Sequence, residues 1–231
     1  MNQVVSSESA LTGWQEAIGS LGFKPAGTGG RRGIYMTRSA GPIVQAVGAM
    51  IAKNRGGAIN IQLHLSMPLP CAEPPYEVIL LSGDVSSIGV RVEPAWNHDP
   101  KFATWWPPEA AGDGLEALVQ HGIPWLEHYS ELAVLAELFE NEFQQYDDET
   151  RKRQNESLLA RLRRRIGMAN QPPNHGYRQY LLWLAMIYES CGRIELARDR
   201  LEAFTATAQH LSVDEQGRLD RHREVLRERS S

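Results

Sequence analysis

Asn60, Gln62, His64 and Ser66 alternate with Ile59, Ile61, Leu63, Leu65 and Met67 between Ala58 and Met67. A period of two predicts a strand with one buried apolar face and one polar face. An imidazole beside two amides on such a face has the chemistry of a small-ligand site. Amides donate and accept hydrogen bonds, and a histidine exchanges a proton near neutral pH. Arg91, from a later strand, would add a cation, and Trp105 and Trp106, set among prolines, offer flat apolar surface for a groove. We therefore take Asn60, Gln62, His64, Arg91, Trp105 and Trp106 as candidate ligand-binding residues and assign no residue a catalytic role. The more ordinary reading makes His64 a surface histidine. Trp96, Trp105, Trp106 and Trp125 would then plug the open end of a sheet core.

Other chemistries find little support. The seven histidines do not cluster. His121 and His128 are separated by Gly122 and Pro124, which predicts that they do not share one regular helical face. There is no HExxH, so no metal site is expected. Gly27, Gly29 and Gly30 precede Arg31 and Arg32, but a phosphate loop needs a strand before it and a Lys-Ser/Thr and a helix after it. Here a helix precedes and a strand follows. No GxSxG occurs, and no cofactor is expected. Cys71 and Cys191 lack CxxC spacing and read as two reduced, buried or half-buried thiols. The stretch from Arg151 to Arg165 carries seven cationic residues and one acid, after an acidic stretch from Glu137 to Glu149. Leu158, Leu162 and Ile166 commit one face to a core, and no aromatic residues are interleaved for base stacking. Complementary solvated faces are expected, not a specific nucleic-acid surface.

The 231 residues are 42% hydrophobic and 23% charged, with net charge -4, which suits a globular protein. Apolar runs fall far short of the roughly 20 residues of a membrane span, and residues 1 to 10 show no signal peptide. A cytoplasmic location and no membrane partner are expected.

These polar residues need a scaffold. Leu11, Trp14, Ile18 and Leu21 predict a first helix over 8–21, closed by Gly22. Strands are predicted at 33–38, 42–53 with Gly48 as a bulge, 58–67, 76–81 and 87–93. Short connections make the sheet antiparallel. Beyond residue 108 the period becomes helical. Helices are predicted at 114–121, from Ser130 through Phe143, at 150–166, at 177–190, through the seam Ile194, Ala197, Leu201, Phe204, and after Ser212. The predicted fold is α+β: an antiparallel four- to five-stranded sheet with helices on one face, followed by a helical C-terminal extension. The domains are an α+β domain over 1–170 and an extension over 171–231.

Several of these stretches resemble a bacterial domain-of-unknown-function family (DUF four-three-zero-four) over residues 8 to about 140. They are Leu21-Gly22-Phe23, Ile59-Asn60-Ile61, Val90-Arg91-Val92, Trp105-Trp106 and Gly122-Ile123-Pro124-Trp125-Leu126. The family carries a Gln-Lys-rich strand where this chain has Val44 to Ile51. The resemblance implies a fold and no activity. Residues 177–209, with Ala185, Tyr188, Gly192, Ala197 and Leu201, are similar to a tetratricopeptide-type hairpin. A single unit is found where arrays need about three.

The expected function is non-catalytic: an intracellular bacterial protein-interaction or regulatory module of antitoxin or immunity type, whose partner is another protein. The alternative is an enzyme or small-ligand binder with its site near His64 and Arg91.

Overall fold

The computed structural model describes residues 7–26, 33–68, 77–93, 103–154, 175–207 and 213–229. The chain divides into two compact units between Glu131 and Leu132. The domain boundary expected near 171, the basic run beyond 154, Trp96, Cys71 and the 27–32 stretch lie outside the described residues, and Cys191, expected buried or half-buried, is exposed beside the Gly192 turn.

In the first unit, helix α1 (Ser7–Ser20) buries Leu11, Trp14 and Ile18 on one stripe. Gly22 ends it at φ 86°, and Phe23 folds back into the core. Among the described residues six strands then form one sheet, each pairing antiparallel with the next. They are β1 (Lys24–Pro25), β2 (Gly33–Ala40), β3 (Ile43–Ala52), β4 (Ala58–Pro68), β5 (Glu77–Ser86) and β6 (Gly89–Glu93). The class is α+β and the sheet antiparallel, but with six strands and not four or five. The extra one, β1, pairs Lys24 and Pro25 with Thr37 and Met36. Two residues are too few to display an alternation. The last turn is also displaced from its expected place. β5 continues to Ser86, and the hairpin closes at Ser86 and Gly89.

Gly48 is not a bulge, because pairing runs unbroken through it on both sides. Its missing side chain makes room for Tyr35, whose Cδ2 lies 3.6 Å from where a Cβ would stand. The register slips instead opposite Leu65 and Ser66, where β5 carries the extra residue Leu80.

Ile59, Ile61, Leu63 and Leu65 are fully buried. Helix α2 (Ala111–Ala117), a π-helical turn (Leu118–Gly122) and helix α3 (Ile123–Tyr129) follow one another without a break and pack on that face. A Cβ at Gly122 would come 2.7 Å from Leu118 Cδ1 and 3.3 Å from Val85 Cγ2, so glycine lets the π turn sit close to the sheet. Arg38 ties the layers together. Its Nε donates to Gln45 Oε1 (2.5 Å), and its Nη atoms donate to the Leu21 carbonyl and to Glu127 (both 3.0 Å). Buried Gln45 in turn donates to the Leu126 carbonyl and to Ser130 Oγ.

The second unit contains α4 (Leu132–Gln154), α5 (His175–Ser190), α6 (Ile194–Thr207) and α7 (Val213–Arg229). The helices expected from Ser130 and from 150 are one helix as far as Gln154. Phe139 of α4 stacks on Trp183 (5.1 Å) and Tyr180 (5.8 Å) of α5. Gly192, at φ 72°, reverses the chain. Ala197 and Leu201 are buried, as are Leu184, Ile187 and Tyr188 of α5, against which α6 packs. Glu140 accepts Tyr188 Oη (2.5 Å) and binds Arg200 through both oxygens (2.8 and 2.9 Å). Glu189 is held by His222 (2.5 Å) and Arg229 (2.9 Å) of α7.

Candidate functional site

Strand register assembles the polar face of the sheet. Tyr35, Gly48, Gln62, Asp84 and Arg91 form one row across five strands, each the partner of the next. Thr37, Ala46, His64 and Ser82 form the adjacent row. Side chains alternate along each strand, so residues two apart, such as Gln62 and His64, share a face.

Two of the six sequence candidates meet at a pocket. Gln62 and His64 line a hollow of about 210 Å³ with Ala26, Ile34, Tyr35, Gly48 and Met50. Gly48 lies between Tyr35 and Gln62 in the row, and the side chain it lacks helps leave the hollow. The Tyr35 and His64 rings stand 6.4 Å apart, and His64 Nδ1 lies 3.1 Å from Ser82 Oγ. Burial raises the Tyr35 pKa, and the nearby Glu77 carboxylate raises it further. The phenol is therefore a neutral donor across the ordinary pH range.

Asn60 plays a different part. It is 1% exposed and its amide nitrogen donates to Asp84 Oδ1 (2.6 Å) and to the Thr104 carbonyl (2.9 Å). The other oxygen of Asp84, Oδ2, accepts the Thr104 N–H at 2.8 Å. The described β5–β6 hairpin pairs with β4 only from Gln62 onward, and Ile59 pairs instead with Trp106 through two 2.7 Å backbone bonds. Both amide protons and both carboxylate oxygens are thus used in holding the 103–106 segment to the sheet.

Arg91 stands exposed at the end of the Tyr35 row, with Asp84 between it and Gln62. It does not line the hollow. Trp105 lies beneath the Arg55 guanidinium, 4.9 Å from its ring centroid. Trp106 is buried toward the helices, where Gly114 fits between it and Trp14. The structure therefore joins Gln62 and His64 and separates Asn60, Arg91 and the tryptophans from them.

Sequence reasoning missed Tyr35, Ser82 and Asp84. Tyr35 sits in the short strand predicted over 33–38, which extends to Ala40. Ser82 and Asp84 lie where a turn was expected. Among the described residues no group of three or more His, Cys, Asp or Glu side chains could hold a metal ion, and no helix is long and apolar enough to cross a membrane. No protein-family model matches the chain, and no curated protein and no solved structure matches it either.

Proposed function

We propose that this chain is a non-catalytic protein-interaction module that receives another protein on the polar face of its sheet. The carrying observation is the size and lining of the hollow. Small-molecule sites usually span about 300–1,000 Å³, whereas this one is about 210 Å³. That is room for one side chain of a partner. Tyr35 and Met50 give it adaptable apolar walls, while Gln62 and His64 supply polar contacts. Met50, 49% exposed, and Ile79 extend apolar surface across the same face. The buried carboxylate nearest the hollow in the row, Asp84, is engaged with Asn60 and Thr104.

A regulatory role of antitoxin or immunity type in a bacterial cytoplasm belongs to this proposal. So does the likeness of residues 8 to about 140 to the domain-of-unknown-function family, which brings no activity with it. The test is Gly48→Val, which fills the hollow at a position where a Cβ meets only ordinary contacts. Proteins captured by the wild-type chain and by the variant are quantified side by side. A partner lost with the variant supports the proposal, and identical recoveries sink it.

A second reading, a small-ligand site, rests on the His64–Ser82 contact. A compound library that stabilises the wild-type chain but not His64→Ala would favour it.

A further inference from the structure

Peroxides oxidise the methionine thioether to a sulfoxide, and dedicated reductases reverse the change. The methionines of this chain are not equally placed for that chemistry. Met36, Met67 and Met186 are at most 3% exposed, whereas Met50 is 49% exposed. Met50 is also the one of these four that lines the hollow.

Strand register explains its exposure. Met50 stands on the polar face of β3, between Gly33 of β2 and Asn60 of β4. Gly33 has no side chain to lay over it. The Asn60 amide is engaged with Asp84 and Thr104. Gly48, the preceding residue on the same face of β3, is bare as well. The thioether therefore forms a wall of the hollow and still meets solvent.

We propose that Met50 is a reversible oxidation site that controls what the hollow accepts. This rests on the reading of the hollow as the seat of a partner's side chain. The co-reactant is a hydroperoxide, of which hydrogen peroxide is the simplest. The Met50 sulfur attacks one peroxide oxygen, and an S–O bond forms as the O–O bond breaks. The departing hydroxide takes the proton of the transferred oxygen and leaves as water. Sulfur gives up two electrons and the peroxide receives them. The product is polar and chiral where the thioether was soft and apolar. Its oxygen holds water at a wall shared with Ala26 and Ile34, and stripping that water opposes the seating of an apolar side chain. Met50 faces away from the core, so the fold is left intact.

The experiment treats the full chain with graded hydrogen peroxide. The tryptic peptide 39–53 contains Met50 and no other sulfur, so one added oxygen there reports Met50 alone. It should appear before oxidation of the peptides carrying Met36, Met67 and Met186, with no change in melting temperature. Proteins captured by the wild-type chain and lost with Gly48→Val are then quantified on the oxidised chain. Their recovery should fall about tenfold, the effect of one polar group stranded at a dried surface. Methionine sulfoxide reductase with dithiothreitol should restore it, and dithiothreitol alone should not, which separates Met50 from the exposed thiol of Cys191. Met50→Leu, compared with its own untreated level, should be insensitive to peroxide. Should that variant capture nothing, the reductase result decides. Oxidation of Met50 no faster than of the buried methionines, capture unchanged by it, or a loss that persists in Met50→Leu overturns the proposal. Identical recoveries from untreated wild type and Gly48→Val sink the interaction reading, and this proposal with it.

Discussion

Asn60 donates to the carboxylate of Asp84 at 2.6 Å, and both side chains are at most 2% exposed. Burying a carboxylate is costly unless its oxygens are hydrogen-bonded, and here Thr104 completes the set. Asn60→Ala leaves Asp84 with an oxygen unserved. A hydrogen bond to a charged group contributes about 1.5–3 kcal/mol, and stranding the group costs more. We expect a loss of about 3 kcal/mol in urea unfolding. A loss below 1 kcal/mol would mean that water takes the place of the amide.

The two faces of β4 differ in cost. Leu63 is fully buried and Gln62 half-buried. Leu63→Ala should cost about 2–5 kcal/mol, and Gln62→Ala clearly less, about 1 kcal/mol. Equal losses would place the strand register one residue out.

Two glycines of α2 test packing against propensity. At Gly114 a Cβ would stand 3.1 Å from both Trp106 and Trp14, whereas at Gly112 it meets open space. Alanine favours a helix over glycine by up to about 1 kcal/mol, and overpacking costs about 1–3 kcal/mol. Gly112→Ala should therefore raise the melting temperature and Gly114→Ala should lower it.

Alkali should loosen the second unit. Burial, aided by hydrogen bonds to Glu142 and Glu140, raises the pKa values of Tyr180 and Tyr188 to about 12. Their ordinary value in the unfolded chain is about 10. The unfolded chain therefore gives up these protons first. Their contribution is whole below about pH 10 and disappears as pH rises through about 12. Tyrosinate absorbance should show Tyr35, Tyr180 and Tyr188, three of the seven tyrosines, titrating above the ordinary value, with loss of helix signal accompanying the last two. Tyr188→Phe should remove one late step.

Legibility followed the length and regularity of each pattern. β4 and α1 could be read because 11 and 14 residues repeat one period with few exceptions. The α5–α6 reversal was legible from Gly192 alone. β1 was hidden because two residues have no period. The end of β5 was obscured because Leu80 shifts the alternation, so residues beyond it appear to change face. The site was half legible. Gln62 and His64 announce themselves by alternation, but Tyr35 joins them only through the register of two hairpins. Asn60 looks identical to Gln62 in sequence. Asp84 and Thr104, the latter 44 positions later, cover it on the face it shares with Gln62.

The order of the sheet has a kinetic meaning. Among the described residues every strand pairs with its sequence neighbour, so hairpins can close one after another with little entropy lost at each step. The Ile59–Trp106 bridge departs from that pattern. It spans the whole of β5 and β6, so its closure waits on the rest of the meander and belongs to the slow end of the reaction. Destabilising that junction should accelerate unfolding far more than it slows refolding. Native chains would then shed the 103–106 segment first and bare the beginning of β4, a strand edge rich in isoleucine.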